Sequence, residues 1–289
     1  MTAYQGRRYI FAIHGRSEYQ RRRRQRGRAQ QNAPAAEIPT VQTISLRDVA
    51  KHERLIEAYD ALRREGGTAP GVDGLTFAHL GRSEVADVLR GVWRAIQEGT
   101  YRPAPARRVR VPKRDGGHRV LRLRTIFDRA VGKALARALT PLLDPIFGPR
   151  IFGFRPQRSH MEMLATIEAE MIRTDRWVLA VDDIRRAFDS VPVANPVSKY
   201  RNLLGDPALV ALIEAVLRGH QGQRRIRGID QGCPFSPVTL NVFLNDILDR
   251  PLLADRDTPR CTDTRTISRL YAEGCPRANV PSSEPKRPS

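Results

Sequence analysis

The sequence is short of cysteine, aromatics and long apolar runs, and each shortage excludes something. Three cysteines in 289 residues (Cys233, Cys261 and Cys275) show neither C-x-x-C spacing nor an even count. That argues against a disulfide framework or a zinc finger and for packing thiols in a reducing compartment. No run of about 18 consecutive apolar residues is present, which argues against a membrane span. The Arg-rich N-terminus lacks the apolar centre of a secretory signal, so a cytoplasmic location is expected. No repeat period is visible, which excludes a solenoid. Acids are also scarce: 31 Asp and Glu face 50 Lys and Arg, a formal net charge of +19.

What the chain does have is 40% hydrophobic residues, enough for a real core. Its positive charge points to a polyanion, most often nucleic acid, bound with release of counterions from phosphates. The excess is concentrated in two places. Residues 1–40 hold nine Arg against Glu18 and Glu37, and residues 101–133 hold eleven Lys and Arg against Asp115 and Asp128. Charge alone does not separate a nucleic-acid binder from a nucleic-acid enzyme, because both need the same field.

Residues 1–40, with Arg21 to Arg24 and no sustained period, read as a solvated basic arm. Helical spacing of Leu46, Val49, Ile56, Tyr59 and Leu62 predicts one helix from Leu46 to Arg64, stopped by Gly66-Gly67. Ala69-Pro70-Gly71-Val72-Asp73-Gly74 reads as a turn, followed by a helix over 84–97. Tyr101 to Arg124 alternates apolar and basic residues around Asp115-Gly116-Gly117, which predicts two strands joined by a turn. Further helices are expected over 127–143, ended by Pro141, Pro145 and Pro149, and over 161–172, 208–217 and 238–248. Trp177 to Ile184 reads as a buried strand that delivers Asp182 and Asp183 to a site. Residues 223–229 read as a basic strand. From 257 to 289 periodicity is lost and the composition is that of a disordered tail.

Several blocks, in order, resemble one family. Ala69-Pro70-Gly71-Val72-Asp73-Gly74 is similar to the opening block of bacterial reverse transcriptases of the group II intron and retron type. Val111-Pro112-Lys113-Arg114-Asp115-Gly116-Gly117-His118-Arg119 through Thr125-Ile126-Phe127-Asp128-Arg129 resembles the fingers block. Phe152-Gly153-Phe154-Arg155-Pro156-Gln157-Arg158-Ser159-His160 resembles the next. Asp183-Ile184-Arg185-Arg186-Ala187-Phe188-Asp189, and Gln231-Gly232-Cys233-Pro234-Phe235-Ser236-Pro237 with Asn241, resemble palm blocks. Each is weak alone; together and in order they are a strong signal.

The resemblance implies an α+β, right-hand polymerase with fingers and a partial palm over residues 41–256 and no thumb. It implies RNA-directed DNA synthesis: two-metal phosphoryl transfer with Mg2+, acting on an RNA template, a DNA or RNA primer and dNTPs. Mg2+ needs rigidly held hard oxygens. Asp183 matches the family's first metal ligand, with the Ile184 carbonyl as a further ligand and Asp182 a bystander. Phe188 matches the aromatic gate that excludes a 2′-hydroxyl. Lys113 and Arg119 match cations that neutralise the incoming triphosphate, Gln231 matches the residue beside the nucleotide, and Arg155 and Arg158 match contacts to template phosphates. Three departures stand out: Arg124 where the family usually has proline, Ala187 where a second aromatic is common, and Cys233 where glycine is usual. A non-catalytic, maturase-like RNA-binding protein is the alternative. The sequence assigns no oligomeric state.

One block is missing. The resemblance calls for a Tyr-Ala-Asp-Asp hairpin after the helix ending near Asp249, and Tyr271-Ala272-Glu273-Gly274 lies too far downstream with a single acid. Reading each new codon from the third base of one codon and the first two of the next changes the picture. Cys261 to Ile267 then permits Tyr-Arg-Tyr-Ala-Asp-Asp. A frameshift near Asp257 to Arg260 is therefore the expected cause, with the chain cut off before its remaining catalytic acids. Loss of the hairpin should leave the edge of the Trp177–Ile184 strand unpaired and the protein poorly soluble.

Overall fold

The computed structural model describes residues 44–66, 69–112, 117–175, 177, 179–184, 186–250, 261–263 and 268–272. Two short helices open this part, α1 (Leu46–Val49) and α2 (His52–Arg64). The single helix expected over 46–64 is broken at Ala50 and Lys51. Ser45 forms a capping box with Asp48, and α1 closes after one turn with Ala50 N–H donating to the Leu46 carbonyl. The Leu46 N–H donates to Asp206 at 2.6 Å. Asp206 also accepts from the N–H groups of Ala208 and Leu209. One carboxylate thus caps a helix and ties down the entry of the chain.

After α3 (Arg82–Gln97) come β1 (Arg107–Pro112) and β2 (His118–Leu123), paired antiparallel with Val109 opposite Leu121 and Arg108 opposite Arg122. The expected Asp-Gly turn falls at residues 113–116, outside the described residues, together with Lys113. Thr125 then caps α4 (Ile126–Leu143) by accepting from the Asp128 N–H at 3.1 Å. Pro141 does not end α4 but lies in its last turn. The chain continues through a 3-10 turn (Asp144–Ile146) to α5 (His160–Thr174), β3 (Leu179–Asp183), α6 (Ala187–Ser190), α7 (Ala194–Leu203) and α8 (Pro207–Arg218).

Residues 223–229 do not form the expected strand. A 3-10 segment runs from Gly219 to Arg224, and only an isolated bridge joins Arg227 to Pro192. Then α9 (Ser236–Leu244) continues as a π turn over Asn245–Asp249. Within the expected tail lie two strands, β4 (Cys261–Asp263) and β5 (Ser268–Ala272). The sheet order is β3-β5-β4, with Leu179 opposite Ala272 and Asp183 opposite Ser268. The edge of β3 is therefore not left open: residues of the tail pair with it.

The main core is formed chiefly by α2, α3, α4, α8 and α9, with Leu55, Leu89, Ile126, Leu135, Leu139, Leu209, Ile213 and Phe235 fully buried. A second, smaller cluster joins Phe152 to the Met163, Ile167 and Met171 stripe of α5 and packs against Trp177. No helix among the described residues is long and apolar enough to cross a membrane.

Candidate functional site

Close backbone approach assembles this region. A Cβ at Gly71 would sit 2.7 Å from the Cα and N of Thr125, so only glycine lets the turn lie against the start of α4. Two residues of the Thr125-Ile126-Phe127-Asp128-Arg129 block hold that junction. Asp128 is buried and accepts from the Tyr101 hydroxyl at 2.7 Å and the Ala104 N–H at 3.0 Å. Burial and then the Asp128 carboxylate push the Tyr101 phenol well above its ordinary pKa. Arg129 donates to the Ala69 carbonyl at 2.8 Å and lies over the Phe77 ring. The block thus acts as a clamp between turn, strand lead-in and helix.

The residues of this region fall into three groups. The first comprises Asp183, Ile184, Phe188, Gln231 and Arg119. Asp183 ends β3, and the half-buried Ile184 packs against the main core. Phe188, on α6, is half-buried, with its ring edge-on to Phe154 at 6.4 Å between centroids. Phe154 itself adopts φ +54°, an unfavourable left-handed conformation for a bulky residue. The Phe188 carbonyl accepts from the Ile229 N–H at 2.9 Å, and the Val191 carbonyl accepts from Gly228 at 2.7 Å. Two residues on, the Gln231 carbonyl accepts from the Arg122 N–H at 3.1 Å. The backbones of α6, the 226–231 segment and β2 are thereby laced together. Arg119 belongs to β2 opposite Val111, three residues or about 10 Å along the strand from Arg122.

The second group is a correction. Arg155 is not a template contact. Its guanidinium is 6% exposed and forks onto Asp144 at 2.8 and 3.0 Å. It also donates to the carbonyls of Gly148 and Ile151, and its face lies over Phe147. A cation with its donors spent inside the fold cannot hold a phosphate. Arg158 is half-buried, pairs with Glu162 one helical turn on, and lies over Phe152. Asn241 also serves the fold, donating to the Gly153 carbonyl at 2.7 Å.

The third group was not named as site residues from the sequence. Asp230 is 3% exposed and meets Arg124 at 2.6 Å, Arg225 at 2.6 Å and Arg122 at 3.4 Å. Arg124 also donates to the Val216 carbonyl at 2.6 Å. The arginine that stands in place of the family's proline is thus fully buried. It joins the end of β2 to the C-terminal half of α8 and to the residue before Gln231. Burial works against the Asp230 charge, but Arg124 and Arg225 outweigh it and hold the carboxyl below its ordinary pKa. The signal in the sequence was the departure at Arg124; its partner, 106 residues away, was not legible.

Among the described residues there is no group of three or more His, Cys, Asp or Glu side chains able to hold a metal. The segment joining the two strands beside Asp183 reads Thr264-Arg265-Thr266-Ile267, without a carboxylate.

Comparison with known proteins agrees with this architecture. Protein YkfC of Escherichia coli (strain K12) is 31% identical over 213 residues, covering 70% of this chain and 55% of YkfC. The group II intron-encoded protein LtrA of Lactococcus lactis subsp. cremoris is 27% identical over 181 residues, covering 59% of this chain and 30% of LtrA. The chain thus spans about half or less of the length of these relatives. Among solved structures, a chain of a partial Cas6-RT-Cas1--Cas2 complex superposes with a TM-score of 0.50 at 21% identity. That match covers 80% of this chain and 38% of the other, and it supports the fold alone. The sequence pattern described as "Reverse transcriptase (RNA-dependent DNA polymerase)" matches residues 111–256, and the chain belongs to that family.

Proposed function

We propose that this chain is the fingers and partial palm of an RNA-directed DNA polymerase, that it holds RNA, and that it does not itself complete nucleotide addition. The observation that carries this reading is the pairing of β3 with β5. Asp183 stands opposite Ser268, and the four residues joining β4 to β5 are Thr264, Arg265, Thr266 and Ile267. In-line phosphoryl transfer by two Mg2+ ions needs several hard carboxylate oxygens around both metals. Asp183 and the Ile184 carbonyl, the expected ligands, lack the further acids. Lys113, Arg119, Phe188 and Gln231 remain the residues assigned to the nucleotide, and the RNA template with a DNA or RNA primer remains the polyanion that the charge is there to meet.

The alternative frame gives the cause. Thr264 to Ile267 is the stretch whose shifted codons permit Ala-Asp-Asp, and the family match stops at residue 256, just before the proposed shift. The tail would then pair where the acidic hairpin belongs without bringing its acids. The nucleotide sequence of the gene tests this directly: an alternative frame without consecutive Asp codons, or one that closes at once, overturns it.

A primer-extension assay with RNA template, dNTPs and Mg2+ tests the loss of activity. No synthesis above background is expected from the chain as it stands; robust synthesis abolished by Asp183→Ala would overturn the reading. A maturase-like, non-catalytic role in RNA binding is favoured by the same observation. It predicts salt-sensitive RNA binding that Asp183→Ala leaves unchanged.

A further inference from the structure

Among the described residues four non-glycine positions have positive φ, and three of them lie in the two segments that carry one ring contact. Phe154 (φ +54°) and Gln157 (φ +58°) belong to the loop before α5, and Arg186 (φ +54°) precedes α6. The contact is the edge-on pair of Phe154 and Phe188, with 6.4 Å between ring centroids and 78° between ring planes. That is the geometry of a favourable aromatic pair. Left-handed backbone is costly for a bulky side chain and persists only where the surroundings enforce it.

Both neighbours of Phe154 enforce it. The Gly153 carbonyl accepts from the Asn241 side chain at 2.7 Å. The Arg155 guanidinium is held by Asp144 and by the carbonyls of Gly148 and Ile151. Phe188 is fixed as firmly. Its carbonyl accepts from the Ile229 N–H at 2.9 Å, and Gly228, at φ +87°, lets that segment come close: a Cβ there would lie 3.3 Å from the Asp189 carbonyl oxygen. Core packing does not account for the strain. Phe154 is half-buried and, among the described residues, belongs to neither hydrophobic cluster, whereas Phe188 borders the main one. A strained ring outside the core, pinned from both sides against the ring assigned to the sugar, has the placement of a stop for that ring.

We propose that Phe154 is a positioning residue that sets the ring of Phe188 and so determines how firmly a 2′-hydroxyl is refused. Phe154 acts through Phe188 and need not touch the nucleotide itself. With its edge backed by Phe154, the Phe188 ring has less room to swing to another rotamer and admit the extra oxygen. The inference rests on the reading of Phe188 as the residue beside the sugar and adds what holds that ring in place.

The test uses the full chain with 4-fluorophenylalanine in place of Phe188, bound to an RNA template whose primer ends in a dideoxynucleotide. The fluorine NMR resonance is followed while dATP or ATP, with Mg2+, is added opposite a templating uridine. In the unaltered chain dATP should move the resonance at concentrations about tenfold below those that ATP requires. F154G, whose glycine takes φ +54° without strain, should lose the ring-current shift on the label and bring the two concentrations together. F154L, which keeps an apolar side chain but no ring, should show the same loss, and F154Y, which keeps the ring, should not. A dATP preference unchanged in both F154G and F154L, whatever happens to their melting temperatures, overturns the positioning role and leaves the assignment of Phe188 intact. An equal response to dATP and ATP in the unaltered chain, or a response to neither, overturns that assignment and this inference with it.

Discussion

Arg124 and Asp230 form a buried ion pair, with Nη2 and Nε of the arginine 2.6 and 2.8 Å from the same carboxylate oxygen, across 106 residues of sequence. Breaking such a pair from one side strands a charge inside the protein. Asp230→Ala should lower the free energy of unfolding by about 3–5 kcal/mol, and Arg124→Ala by a similar amount. The double variant Arg124→Met with Asp230→Leu should lose less than the sum of the two single losses, since both halves of the pair leave together, yet stay less stable than the unaltered chain because the buried Arg225 loses the same carboxylate. Urea denaturation of the four proteins checks this. Additive losses in the double variant would mean that the two residues act separately.

The same carboxylate sets a pH dependence. Asp230 is held below its ordinary pKa, so the folded form binds its proton less readily than the unfolded chain. Its contribution is therefore fully present above the unfolded value of about 3.9 and is lost as pH falls from there through the lower folded value. The stability difference between the unaltered chain and Asp230→Asn should be flat from neutral pH down to about pH 5. It should shrink only in strong acid. A difference that already shrinks between pH 7 and 5 would place the titrating group elsewhere.

Much of this architecture was legible in the sequence because its elements are local. Helical spacing marked α3, α4, α5 and α8 to within about two residues, and alternation with Asp115-Gly116 marked β1 and β2. What was missed depends on contacts between distant residues. The apolar spacing through Leu46, Val49 and Ile56 runs past Ala50 and Lys51, where a capping box and the bond to Asp206 end the first turn. Residues 223–229 have a strand's composition, but Gly222, at φ +52°, and the single bridge to Pro192 keep them irregular. Arg155 has the residue type of a phosphate contact; only the fold reveals Asp144 and the carbonyls around it.

The contact at Gly71 allows a sharper test of the turn. A methyl group there would lie 2.7 Å from the backbone of Thr125, which cannot yield without moving the cap of α4. Gly71→Ala should destabilise the protein by about 1–3 kcal/mol, the usual cost of forcing atoms into a packed site. Gly66→Ala makes a useful contrast. No atom lies within 4 Å of its Cβ position, so any loss there comes from φ +83° alone and should be about 1 kcal/mol. Thermal melts of both variants check the order; an equal or smaller effect at Gly71 would mean that the turn can retreat from the helix.

Arg155 separates structural cations from binding cations. Its guanidinium joins Asp144 to the carbonyls that lead toward Phe152, with Phe147 against its face. Replacing it with glutamine removes the charge and strands several acceptors, which should lower stability by about 1.5–3 kcal/mol. Because none of that charge is presented to solvent, RNA affinity measured below the melting transition should keep its salt slope. A lowered slope in a folded Arg155→Gln protein, read by anisotropy alongside circular dichroism, would return this arginine to the nucleic-acid surface.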